Sequence, residues 1–432
     1  MKLFSILILL TFTGAQWLYH PKPSAIVPWK PHNATSVGNS GIYKNQYYLA
    51  DRSDAAVQVI NITSTKHVVT IRGFRGLVPH PRNTSYAKET AKSNLEQSGP
   101  NGIAILPDKS ELYVGDGDGT VRVISLVNNS IVANISTGAR RRTSAVAYCE
   151  GAGIIFVTDP NIEENRPQGF FIDPLERQVA GQVTFNSVNT NTLIRGHHVT
   201  SSLSQIAFKP GTDRFYVSSR STYVNPGGEI IEVDPFTMSI SNILGLDNCY
   251  PLDVVFCPNG NLFVGCSSVQ ELSSPLVNGS TGYSLIIEPS KHWSIVGNVS
   301  GVSGVYQAAY SSGLGAYFAA AYRERTVKIT SGNSSNDTTP HEIWRSAPQL
   351  AIINSTTHQV QQWIETDNRT GRTVAVDPAT QKLVVPLRRG ITIYQLQSNA
   401  TEYWKKSVAA RTVLDSYVGV LPLVFAIAAF FL

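Results

Sequence analysis

The sequence predicts an all-β fold, a single seven-bladed β-propeller of four-stranded antiparallel blades. Three observations predict it. A unit of about 40 residues, holding four short apolar runs separated by turn residues, recurs along the chain. Glycine (33) and proline (23) are plentiful among the 432 residues, as frequent tight turns require. Charged residues make up only 15%, which suits strands that bury their faces against neighbouring blades.

Taken in chain order, residues 1–15 read as a secretory leader. Lys2 supplies the positive start, residues 3–10 the apolar stretch, and Thr13, Gly14 and Ala15 the small residues before a cut. The propeller is expected over 16–400, with blades near 40–75, 99–138, 144–185, 203–245, 251–300, 304–366 and 371–404. The clearest unit, 99–138, places strands at 103–106, 112–114, 121–125 and 131–135. The first blade lacks an obvious first strand and the seventh an obvious fourth. Residues 24–43 are expected to complete one of them and so join the ends of the ring. Residues 324–347, rich in Ser, Asn and Thr, read as a long loop in the sixth blade.

Residues 407–432 read as an attachment signal for a glycosylphosphatidylinositol (GPI) anchor or as a hydrophobic tail. Small residues at Ser407, Ala409 and Ala410 precede a polar spacer and a terminal apolar run over 417–432, with Ser407 the expected attachment residue. That run is short of the roughly 20 residues a bilayer-spanning helix needs.

Twelve Asn-x-Ser/Thr sequons agree with a secretory address: Asn33, Asn61, Asn83, Asn128, Asn134, Asn278, Asn298, Asn333, Asn336, Asn354, Asn368 and Asn399. A secreted or surface glycoprotein, anchored to the membrane through lipid, is the class implied. The net charge of +5 is small for this length and the basic residues do not cluster, so nucleic acid is not an expected partner. The sequence has no GxSxG elbow, no HExxH zinc motif and no Walker loop.

Propeller geometry sets candidate residues in columns. First strands start, and second strands end, at one mouth of the central channel. The start column contains Gln205, Asp253, Gln307 and Thr373, preceded in the chain by Ser204, Leu252, Tyr306 and Arg372. Asn101 and Ser144 stand in that preceding column. The end column holds Asp51, Asp116 and Asp159 in three consecutive blades, then Ser219 and Cys266. Such carboxylates serve either as acceptors in tight turns or as oxygen ligands for a hard cation. Asp118, the pair His197–His198, and Glu163 and Glu164 fall near the same loops.

The run PNGIAILPDKSELYVGDGDGTVRVIS, starting at Pro100, resembles a repeat of the YVTN/NHL-type β-propellers. More weakly, it resembles the gluconolactonase/senescence-marker-like group. The resemblance extends over about residues 40–400 as a repeat pattern. In the lactonase-type relatives an Asn in a PNG turn and an Asp opening another inner strand hold a metal. That would make Asn101 a ligand by motif and Asp253 a ligand by column. A divalent cation such as calcium would then polarise a lactone carbonyl. The chain departs from that group in having seven blades and no motif match for its N-terminal ligand Glu.

Cys249 and Cys266 fall at the same end of the fifth blade and are the expected disulfide; Cys149 and Cys257 lie a blade apart. Two functions therefore stand side by side. One is a binding or scaffold module for an unidentified extracellular ligand, acting through the channel-mouth face. The other is a metal-dependent lactonase or related hydrolase at the same place.

Overall fold

The computed structural model describes residues 18–28, 36–79, 93–139, 141–160, 167–185, 203–209, 211–220, 227–247, 249–267, 282–322, 324–328, 341–345, 349–366, 373–387 and 389–397. For 93–96, 322, 324–328 and 341–345 the backbone alone is described. The expected leader, the tail from 407 and the sequons at Asn33, Asn83, Asn278, Asn333, Asn336, Asn368 and Asn399 lie outside these residues, as do Glu163, Glu164 and His197–His198.

Seven four-stranded antiparallel sheets form among the described residues, each a blade of a β-propeller. Five are simple meanders of consecutive strands. The second blade, for example, runs Ile103–Leu106, Glu111–Gly115, Thr120–Ser125 and Ser130–Ser136. Alternation explains the burial: in Thr120–Ser125, Val121 and Val123 are buried while Thr120 and Arg122 are partly exposed. Outer strands are half exposed, as in Gln178–Thr184 of the third blade.

Seven hydrophobic clusters fill the interfaces between blades, one for each adjacent pair including the seventh with the first. Burial is thus circular, and no blade is left with an uncovered face. Between the third and fourth blades Phe156 packs on Phe171 at 4.7 Å and on Phe215 at 5.2 Å between ring centroids.

The N-terminal segment closes the ring at two points, where the sequence led us to expect one. Val37–Tyr43 is the innermost strand of the first blade, and Ala25–Val27 is the outermost strand of the seventh, paired with Gly390–Tyr394. Both incomplete blades are completed by one stretch of chain.

A second correction concerns the sixth blade. The segment expected to be a loop opens and closes as a hairpin, Glu324–Lys328 paired with His341–Arg345. The flanks Thr326, Val327, Ile343 and Trp344 have the β-branched and aromatic character that strands favour. A further two-stranded ribbon, Gly76–Pro79 with Ser93–Gly99, lies between the first and second blades in the chain and was not anticipated.

Turns between third and fourth strands repeat one device. Asp173 Oδ1 accepts from the Leu175 and Glu176 amides, and Asp234 Oδ1 from those of Phe236 and Thr237. Asn61 and Asn354 do the same in the first and sixth blades. Both are sequon residues, and the oxygen caps the turn while the amide nitrogen remains the atom a glycan would use.

Cys249, just before the first strand of the fifth blade, and Cys266, the last residue of its second strand, are joined, 17 residues apart. Replacing both by Ser is expected to lower stability by about 3 kcal/mol, the chain-entropy value for a loop of this size. Urea unfolding of the oxidised wild type against the double variant checks this. A difference below about 1 kcal/mol would show that the denatured chain is already restrained there.

Candidate functional site

Near the axis, inner strands of neighbouring blades approach closely. A Cβ on Gly38 would stand 2.5 Å from the Asn101 carbonyl oxygen, and one on Gly102 2.5 Å from that of Ser144. This contact fixes Asn39, whose amide donates to the Asn101 carbonyl at 2.9 Å. The Asn39 side chain then spans the channel to Gln205 of the fourth blade. Asn39 Nδ2 donates to Gln205 Oε1 at 2.6 Å and Gln205 Nε2 returns to Asn39 Oδ1 at 3.1 Å. Ser40 and Thr373 share a hydroxyl hydrogen bond at 2.8 Å, and Gln307 Nε2 donates to the Ser40 carbonyl at 3.4 Å.

These bonds divide the channel, and Asn39 and Gln205 line both parts. On one side lies a mouth pocket of about 210 Å³. Its walls come from five blades: Asn39 and Arg52, Arg142 and Ser144, Ser204 and Arg220, Leu252, and Tyr306. On the other side is a chamber of about 650 Å³ with Asp253, Gln307, Phe208, Phe256 and Lys209 in its wall.

The predicted oxygen ligands separate between these places and into turns. Asp51 is buried and spent on its own turn. Its Oδ1 accepts from Ser53 Oγ at 2.7 Å and from the Ser53 amide at 3.0 Å, and its Oδ2 from Gln58 at 3.2 Å. Asp116 accepts from the Gly117 and Arg75 amides at 2.7 and 3.1 Å and pairs with Arg122 at 3.2 Å. Burial raises the pKa of both carboxyls despite these bonds. Asp118 pairs with the same Arg122 at 2.9 Å. Asp159 ends its strand buried.

Asn101 is buried at the mouth side, but both ends of its amide are engaged. Oδ1 accepts from Arg52 Nε at 2.8 Å and Nδ2 donates to the Ser98 carbonyl at 2.8 Å. Its role here is to hold Arg52, which also donates to the Val37 carbonyl and to Ser36 Oγ. Asp253 is buried on the inner strand of the fifth blade and accepts from the Ala308 amide. Desolvation raises its pKa to about 8, so it is mainly the neutral acid at pH 7. Gln307, in the wall of the same chamber, has its Oε1 buried without a hydrogen bond. Among the described residues no three His, Cys, Asp or Glu side chains gather where they could hold a metal ion. Asn101 is engaged with Arg52 and Ser98, while Asp253 lines the chamber.

Sequence reasoning overlooked the arginines. Arg52 and Arg220 stand one residue after Asp51 and Ser219, the positions singled out at the ends of second strands, and Arg142 two residues before Ser144. Shifting the end column by one residue would have shown two of them. Burial lowers the pKa of Arg220, though not enough to discharge a guanidinium at neutral pH. Cys149 and Cys257 are buried free thiols, and burial raises the pKa of Cys149.

No protein-family model matches the chain, and no curated protein matches it. Among solved structures it is similar to a chain of hydrazine synthase from Kuenenia stuttgartiensis, with a TM-score of 0.58 and 11% identity, covering 84% of this chain and 96% of that one. At this identity the likeness supports the propeller fold alone.

Proposed function

We propose that the protein is a secreted or cell-surface binding module of the YVTN/NHL-like propeller type, which takes its ligand at the channel mouth. The observation that carries this reading is the mouth pocket itself. It is concave, built from five blades and lined by convergent polar side chains. The described sequons support the choice of face. Asn61, Asn128 and Asn354 sit at the turns between third and fourth strands, Asn134 and Asn298 on outer strands, and none lines the pocket. Glycans on those residues would leave the mouth open. The leader and tail read from the sequence supply the address, with the tail exchanged for lipid.

The lactonase alternative is less well supported. Asn101, its motif-matched ligand, is committed to Arg52 and Ser98, and Asp253 lines the chamber rather than the mouth.

Hydrogen exchange on the glycosylated protein, with a library of charged and neutral small molecules, tests the binding site. Saturable protection of 36–53 and 203–220 is the expected result. Binders that protect only other surfaces would sink the reading. The anchor is tested separately: phospholipase specific for phosphatidylinositol should release the protein from cells, and full retention would rule the lipid out.

A further inference from the structure

The chamber of about 650 Å³, across the Asn39–Gln205 pair from the mouth, has a largely apolar wall. Ile103, Val146, Ile206, Phe208, Val254 and Phe256 line it, all on the first strands of four adjacent blades. Ile103, Ile206, Phe208 and Phe256 keep part of their surface uncovered by protein. The two rings are already held by second-strand neighbours. Phe208 stands 6.1 Å from Phe215, and Phe256 4.8 Å from Tyr216, between ring centroids. A second cavity of about 400 Å³ shares Ile103, Val146 and Phe208 as walls and extends the same lining.

The polar groups of this wall are mostly engaged with protein. Asn39 and Gln205 exchange two hydrogen bonds, and Asp253 accepts from the Ala308 amide. Gln307 donates to the Ser40 carbonyl and keeps its own Oε1 buried. Burial holds Asp253 mainly as the neutral acid at pH 7, so it adds little charge to the wall. Lys209 ends the first strand of its blade, with Nζ 5.8 Å from the centre of the Phe256 ring. Much of the surface left for a ligand is therefore hydrocarbon, and covering it releases water at a gain.

We infer that the chamber binds an uncharged apolar small molecule, packed against Ile206, Phe208, Val254 and Phe256. This is a second site, and it does not rest on the mouth being a binding site. Its volume falls within the range of small-ligand pockets, about 300–1,000 Å³. A charged group entering it would exchange its hydration for hydrocarbon, at a cost the same molecule without the charge escapes.

The probes are N-phenyl-1-naphthylamine, uncharged at pH 7, and 8-anilinonaphthalene-1-sulfonate, the same ring system carrying a sulfonate. Each is titrated by fluorescence into the glycosylated protein at pH 7, with hydrogen exchange locating the site. The naphthylamine is expected to bind saturably below roughly 10 μM and to protect 103–106 and 254–260. The sulfonate is expected to bind at least about tenfold more weakly, a comparison that needs no variant. Ile206→Trp, which fills part of the chamber, should weaken the naphthylamine by about tenfold or more. Phe236→Ser removes an exposed ring at a turn between third and fourth strands and should change nothing. Thermal melting confirms that each variant is folded, and if Ile206→Trp is not, hydrogen exchange on the wild type decides the location.

Equal affinity for the sulfonate, unchanged affinity in folded Ile206→Trp, or no saturable binding of the naphthylamine overturns the inference. Protection of 36–53 without 254–260 would place the probe at the mouth, which overturns the chamber and leaves the binding reading standing. A mouth that no library compound protects sinks that reading and leaves the chamber to these titrations.

Discussion

Tyr19→Ala is expected to destabilise the whole ring by about 4 kcal/mol, in the range for removing a fully buried aromatic ring. Tyr19 is completely buried, and it is the point at which the start of the described chain is fastened to the last two blades. Its amide donates to Gln362 Oε1 at 2.9 Å, and its carbonyl accepts from Gln362 Nε2 at 2.9 Å, both on the outer strand of the sixth blade. Its hydroxyl donates to the Gln381 carbonyl of the seventh blade at 2.7 Å. Its ring meets Phe318 edge to face with centroids 5.9 Å apart. The residue also bridges to Leu396, which sets the path into the closing strand Ala25–Val27. The alanine variant leaves a cavity between two blades and loosens the strand that completes the seventh. Tyr19→Phe should cost only about 1 kcal/mol, since it keeps the ring and loses one hydrogen bond. Urea midpoints with an unchanged slope would confirm this. If the alanine variant cost less than about 1 kcal/mol, the ring would not depend on this fastening.

That fastening was legible only in part. Blades could be read because each is a local meander: 99–138 announces its four strands by alternation and by the turn residues between them. Asp173 and Asp234 likewise announce their turns, because an Asx turn is complete within four residues. The way the ring closes depends on pairings such as Ala25 with Ile393, and no local pattern encodes a partner at that distance. The site divides along the same line. The columns placed Ser144, Ser204, Leu252 and Tyr306 at the mouth, where they are found. Asn39 escaped because its partner Gln205 lies 166 residues away across the channel. Arg52 and Arg220 escaped because they follow strand ends, and Arg142 because it lies in a connection between blades, where periodicity stops and loop chemistry begins. The emphasis on Asp51 and Asp116 arose from residue type: a carboxylate looks the same in sequence whether it awaits a cation or caps its own turn.

Asp253 gives the second large effect, and it is a pH dependence. In the unfolded chain an aspartic acid titrates near 3.9, whereas in the fold desolvation raises Asp253 to about 8. Between those values the folded protein holds a proton that the unfolded chain has released. Stability is therefore fully present below about pH 4, declines as pH rises through the window and levels off above about 8. About four pKa units correspond to roughly 5 kcal/mol over the whole window. Asp51 and Asp116 are shifted in the same direction, so the total slope belongs to several groups. Lys209, Cys257 and Tyr310 are the other titratable side chains around the chamber. Asp253→Asn isolates the one contribution, because its side-chain oxygen can still accept from the Ala308 amide. The difference in unfolding free energy between variant and wild type should grow in favour of the variant from pH 5 to pH 8. Parallel curves would mean that Asp253 is ionised in the fold.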